Sequence, residues 1–159
     1  GRDGDTVLLH GSSASRLFRH LAQGSPACVT VTLLDGLVCA RSAFHSSMNY
    51  RSAIILGAGR ALQGDDELRA MQRITDHLLP GRWQEIRHPS EQERRATVVI
   101  AIDLDECSVK VRTGPPIDDE EDIDHPLFGR AGVVDVRTRL SAPSDAPDHV
   151  RAWRGDRAI

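Results

Sequence analysis

The pair Asp35-Gly36 constrains the fold of this chain more than any other feature. It sits between Val29-Thr30-Val31-Thr32-Leu33-Leu34 and Leu37-Val38-Cys39-Ala40-Arg41. Asp-Gly between alternating apolar and polar residues is the strongest short-range signal for a hairpin with a two-residue turn. That turn places Leu34 opposite Leu37, Thr32 opposite Cys39 and Cys28 opposite Ala43. Val29, Val31 and Leu33 then line up with Ser42, Ala40 and Val38 on a mostly apolar face. Thr30 and Thr32 line up with Arg41 and Cys39 on a semi-polar face that suits a barrel wall, a dimer face or the wall of a ligand site.

The same register tests for a disulfide. Cys28 and Cys39 share a face but stand four residues apart along the ladder. At ~3.3 Å per residue the separation is roughly 13 Å, beyond the reach of a bridge. Cys28, Cys39 and Cys107 have no metal-ligand spacing and are expected as free, buried thiols in a reducing compartment.

The remaining elements follow from periodicity. A short strand ends at Leu9, and a helix is expected over residues 13–23, with Leu17, Phe18, Leu21 and Ala22 at helical spacing. Residues 52–62 read as a strand whose glycines mark a bulge or the close approach of another backbone. Residues 65–79 are the clearest helix: Asp65, Asp66 and Glu67 fill its first turn, where negative charge is favoured. Leu68, Met71, Ile74 and Leu78 form its apolar stripe, read as core packing, and Pro80-Gly81 stops it. Ser90-Glu91-Gln92-Glu93 is a capping box. Residues 97–104, 107–112 and 132–140 are further strands. This order argues for a mostly antiparallel sheet or barrel with helices packed outside. Residues 1–140 form the domain, and residues 141–159, rich in Pro, Asp and Arg, are expected as a flexible tail.

Composition excludes whole classes of function. A chain of 159 residues with 40% hydrophobic content can bury a real core as one domain. A net charge of −3 with dispersed basic residues, and only 4% aromatics, gives neither attraction to nucleic acid nor platforms for stacked bases. No apolar run is long enough to span a membrane and no signal segment is present, so no membrane partner and a cytoplasmic location are expected.

Two segments carry residues suited to an anion. Leu9-His10-Gly11-Ser12-Ser13-Ala14-Ser15-Arg16 passes from strand to helix; serines at a helix start free N–H groups for an anion, or simply cap the helix. Arg16 in the first turn is mismatched to the helix dipole unless it meets negative charge. Phe44-His45-Ser46-Ser47-Met48-Asn49-Tyr50-Arg51-Ser52 carries donors where a plain turn needs only Gly, Pro, Asn or Asp, and reads as an anion site or a solvated loop. Lys110 and Arg112 share one face of a strand, with Val109 and Val111 on the other; they either join that site or pair with the acidic run 118–122. The run has no cation-binding loop pattern, and no metal site is expected. Scattered histidines form no nucleophile set by spacing.

These blocks, with residues 29–38, 40–52, Lys110-Val111-Arg112-Thr113-Gly114-Pro115-Pro116 and the acidic run, resemble in order and spacing the pyridoxamine 5′-phosphate oxidase-like flavin-binding proteins. Within them, the chain is most similar to the branch related to nitroimidazole-resistance (Nim-type) reductases. The resemblance spans residues 3–140 and rests on several separate blocks, since a single G-S-x-x-S-R carries little information. It implies a mainly β (α+β) fold, a split β-barrel of antiparallel strands with peripheral helices. Family members usually carry a helix and two strands before the segment that opens this sequence, so the fold is expected without them. It further implies a homodimer with FMN between subunits.

By the same resemblance Ser12, Ser15 and Arg16 bind the flavin phosphate. Asn49, Tyr50, Arg51 and Ser52 contact the phosphate, the ribityl chain or the ring edge, and Lys110 adds to the site. Many relatives have Lys after the Arg of the helix motif; Leu17 stands here, which removes one positive charge. The implied activity is flavin-dependent reduction of a small organic acceptor, a nitro compound among the options, and no residue is singled out as proton donor. Two alternatives stay open: a non-catalytic carrier or sensor of flavin, haem or deazaflavin, with His10 or His45 as axial ligand to haem, and a scaffold whose dimer is its only output.

Overall fold

The computed structural model describes residues 1–125 and 129–141; the tail expected over 141–159 lies, from residue 142 on, outside them. The described residues divide into two compact units, residues 1–34 with 48–114, and residues 35–47 with the described residues from 115 on.

In the first unit, β1 (Arg2–Asp3), β2 (Thr6–Ser12), β6 (Thr97–Asp103) and β5 (Arg60–Ala61) form one antiparallel sheet in the order β1-β2-β6-β5. Leu8 pairs with Ala101 and His10 with Val99. β6 is buried on both faces: Val99, Ile100, Ala101 and Ile102 are at most 2% exposed. That is why its sequence is a continuous apolar run and not an alternation. Val99 and Ala101 pack with Leu8 against Ala70 and Ile74 of α2 (Gly64–Leu78). Ile100 and Ile102 pack on the other side with Leu21 of α1 (Arg16–Ala22) and Ile55 of β4 (Ser47–Ala58).

The second sheet has the order β7-β4-β3-β8. β7 (Glu106–Arg112) pairs antiparallel with β4, Arg51 opposite Val111 and Ser52 opposite Lys110. β3 is Pro26–Cys39. In the second unit its final residues pair with β8 (Gly132–Asp135), Gly36 opposite Asp135 and Cys39 opposite Gly132.

The Asp35-Gly36 turn is therefore corrected: β3 runs straight through it. A primed two-residue turn needs positive φ at its first central residue, and in type I′ at both. No non-glycine described residue has positive φ, and Gly36 is not among the glycines that do. The glycine serves close approach instead, since a Cβ there would lie 2.9 Å from a Val133 methyl. Residues 40–46 make the connection to β4. The thiols are free as expected, but all three are exposed and not buried. The strand read over 52–62 begins earlier, at Ser47, and breaks at Gly59 between β4 and β5.

The two expected longer helices follow their placement, α1 with shorter ends and α2 displaced by one residue. α1 starts at Arg16, not at 13, and ends in a Schellman pattern: Ser25 N–H donates to the His20 carbonyl, and Gly24 N–H, at φ 81°, to that of Leu21. α2 buries Ala70 and Ile74, while Leu78 is exposed past the end of the core. A 3-10 turn, Arg82–Glu85, buries Trp83. α3 (Glu91–Ala96) carries the capping box, both of its bonds formed. α4 (Glu120–Ile123) lies in the second unit. The result is the mainly β, α+β class of split-barrel type that the resemblance implies. Among the described residues no helix is long and apolar enough to cross a membrane.

Candidate functional site

The candidate residues Ser12, Ser15, Arg16, Asn49, Tyr50, Arg51, Ser52 and Lys110 all belong to the first unit. Segment 12–15 is a tight turn anchored to the end of α3. Ser13 N–H donates to the Ala96 carbonyl at 2.9 Å, and its hydroxyl donates to the Arg95 carbonyl at 3.0 Å. Ser12 Oγ accepts from Ala14 N–H at 3.2 Å, and Ser15 N–H donates to the Ser12 carbonyl. Ser15 occupies the N-cap position, yet its side chain makes no capping bond. Among the described residues Arg16 has no ion pair. The turn thus presents a hydroxyl and a guanidinium not taken up by the fold. Gly11 lets α1 lie flat on β2, because a Cβ there would meet the Phe18 ring at 2.2 Å.

The β4 residues divide by strand parity, because successive side chains point to opposite faces. Asn49, Arg51, Ala53 and Ile55 share one face, and Ile55 enters the core. Tyr50 and Ser52 share the other with Lys110, the cross-strand partner of Ser52. Lys110 Nζ stands 5.9 Å from the Tyr50 ring centre, and the Ser52 and Thr32 hydroxyls are 2.8 Å apart. One ligand against one face of the sheet meets Arg51, or it meets Tyr50, Ser52 and Lys110, but not the whole set. Asn49 is already engaged: it is 8% exposed, donates to the Gly114 carbonyl at 3.0 Å, and accepts from Arg112 at 2.7 Å. It ties the start of β4 to the end of β7.

Arg51 lies on a face that changes character along its length. Ala27, Val29 and Ile55 pack into the core at one end. The Thr32–Ser52 contact fixes which β3 residues share the Arg51 side, namely Val31 and Leu33. These two are about half exposed, as are Val109 and Val111 of β7. The second half of this face is therefore an apolar wall carrying one guanidinium.

Two grooves open in the first unit. One, about 630 Å³, is lined by residues that sequence reasoning did not single out: Gln63, Glu91, Arg94 and Arg95, with Ser13 on its wall. Gln63 lies 28 residues before the first residue of α3 (Glu91–Ala96), and no periodicity links them. Arg94 donates to the buried Glu67 at 2.8 Å, and this partner raises its pKa further above the ordinary arginine value. The other groove, about 330 Å³, is lined by His10, Met71, Ile74, Trp83, Ile86 and Arg87, among others. Among the described residues the His10 ring has no hydrogen-bond partner. In the second unit, His45 Nε2 lies 3.1 Å from an Asp119 oxygen. Beside it, the Arg41 backbone N–H and guanidinium hold the Asp118 carboxyl below its ordinary range. No group of His, Cys, Asp and Glu suited to a metal ion occurs among the described residues.

The family model described as pyridoxamine 5′-phosphate oxidase matches residues 1–111. The chain belongs to the pyridoxamine 5′-phosphate oxidase family. Among solved structures, this family member is similar to the flavocytochrome Anf3 from Azotobacter vinelandii, at 40% identity and a TM-score of 0.84 over 99% of this chain and 71% of that one. It is also similar to the FAD and heme binding protein from Mycobacterium smegmatis, at 40% identity and a TM-score of 0.88 over 100% of this chain and 76% of that one. A candidate 5-nitroimidazole antibiotic resistance protein from Bacteroides thetaiotaomicron shares the fold, at 20% identity and a TM-score of 0.55 over 69% and 63% of the two chains. No curated protein matches the sequence.

Proposed function

We propose that this family member is a flavin-binding redox protein that reduces a small organic acceptor as a homodimer. The observation that carries the reading is the exposed apolar half-face around Arg51. A flavin ring needs an apolar wall and a positive charge where the reduced ring gathers negative charge. Val31, Leu33, Val109 and Val111 supply the first and Arg51 the second. Ser12, Ser15 and Arg16 would hold the 5′-phosphate, since a dianion is met best by a guanidinium together with hydroxyl and N–H donors. Bound flavin supplies hydride or electron transfer; the chain's residues orient it and shield it from water. Two solved relatives described by flavin names, each 40% identical over nearly the whole chain, support this reading. An apolar sheet face of this extent also suits a second copy closing over the ligand. A nitro compound is the acceptor the family resemblance suggests, and exposed free thiols suit the cytoplasm.

The purified full-length protein is expected to be yellow, or to become so with added FMN or FAD. Arg16→Ala together with Arg51→Ala should weaken flavin uptake by roughly tenfold or more. A colourless protein that takes up neither nucleotide overturns the reading. The same spectrum tests a second one, haem binding. It is favoured by the names of the two relatives and by His10, whose unpartnered ring lines a groove with Met71 and Trp83. A Soret band on adding haem, lost in His10→Ala, would establish it.

A further inference from the structure

We infer that two copies join edge to edge along β7, antiparallel and centred on Val109, and so extend each other's apolar wall beside Arg51; this rests on the homodimer reading above. β7 is the outermost strand of its sheet, and among the described residues it pairs with β4 alone. Its register to β4 runs unbroken from Arg112 to Glu106, so no bulge twists the edge away. The strand holds neither Pro nor Gly, and six of its seven residues are exposed. A long, regular edge is a template for another strand unless something blunts it. The charges of β7 do not blunt it towards a second copy, because that copy answers them.

The strand is complementary to itself. A two-fold axis sets each residue of one copy opposite a fixed residue of the other, and the reverse. About Val109 the pairs are Glu106 with the partner's Arg112, Cys107 with the partner's Val111, Ser108 with the partner's Lys110, and Val109 with the partner's Val109. Glu106, Lys110 and Arg112 have no ion pair among the described residues. Arg112 donates to Asn49 and to the Met48 carbonyl, but to no carboxylate. The pairing therefore sets two unpaired opposite charges together, twice, at the two ends of the joint. Other registers do worse. Parallel pairing in register sets Glu106 on Glu106 and Arg112 on Arg112. Centring on Lys110 brings two ammonium groups together, and centring on Ser108 puts Asp105 against Val111. The axis stands perpendicular to the sheet, so like faces meet. The row of Arg51 and Val111 then continues into the partner's Cys107. The exposed valines of both copies become one apolar surface with a guanidinium on either side.

The test is a register-specific cross-link in the full chain. Opposite residues of an antiparallel pair have Cα atoms ~4.5–5.5 Å apart, within reach of a disulfide. With Cys28→Ser, Cys39→Ser and Cys107→Ser in place, Val109→Cys should run mostly as covalent dimer on a non-reducing gel after treatment with oxidised glutathione. Val111→Cys in that background should not, because its symmetry mate lies four residues away along the ladder, roughly 13 Å; with Cys107 retained it should cross-link. Glu106→Arg, which would face the partner's Arg112, should weaken the dimer about tenfold in light scattering on dilution. A native dimer without the Val109 cross-link, as when another segment occupies this edge, overturns the strand pairing and leaves the homodimer. So does equal linking of Val109→Cys and Val111→Cys in the serine background. A native protein that is monomeric overturns both. Flavin uptake is read separately, from the visible spectrum.

Discussion

Single residues here are decided by what lies within a few ångström of them. Gly59 is the sharpest case. A Cβ at that position would stand 2.5 Å from the Leu21 carbonyl oxygen, backbone that cannot turn aside. Gly59→Ala should therefore push α1 off the sheet and cost about 1–3 kcal/mol, measured as a shift in the urea midpoint with unchanged slope. The sequence marked this glycine as a site of close approach, but not what approaches it. Asn49 shows the opposite outcome. Its residue type suits ligand binding, yet both ends of its amide are bonded within the fold, to Arg112 and Gly114. Sequence counts donors; only coordinates show which of them are already used.

At the scale of elements, the start of α3 was legible, because its capping box is a local pattern whose bonds join residues three apart. Glu93 also takes a two-pronged bond from Arg87. That bond, with the backbone and hydroxyl of Ser90, lowers its pKa to about 2. A carboxyl held below its unfolded value of ~4.3 stabilises the fold only while the unfolded chain is ionised too. The contribution of its charge is full above that value and fades as pH falls through it toward 2. The gap in thermal midpoint between the native protein and Glu93→Gln, which keeps the cap, should therefore be widest near neutrality and close on acidification to pH 2. The hairpin at Asp35-Gly36 was a misreading at this same scale. Its turn chemistry was right in isolation, but pairing with β8 keeps β3 extended through the two residues. A partner strand about a hundred residues away outweighs a preference held by two.

At the scale of the molecule, the decisive feature is apolar surface left without cover. Val109 and Val111 alternate in β7 as an ordinary half-buried strand would, yet they are 65% and 57% exposed. Burial of such side chains is worth about 25 cal/mol per Å², and the proposed homodimer would cover them. Val111→Glu should convert a dimer to monomer in light scattering and lower flavin affinity with it, while Ser108→Glu on the opposite face should change neither.

The sequence by itself determined the class of fold, the placement of α2 with Ile74 in the core, the apolar run of β6, and membership of the family. These depend on periodicity, capping and block order, which are local or simply additive along the chain. Tertiary structure alone decided that β3 does not turn, that Arg51 and Ser52 face opposite ways from one strand, that Asn49 is engaged, and that Ser13 joins a loop to a groove. Each of these depends on which distant segment comes to lie alongside, and the cost of a clash or an unmade hydrogen bond is set by that neighbour.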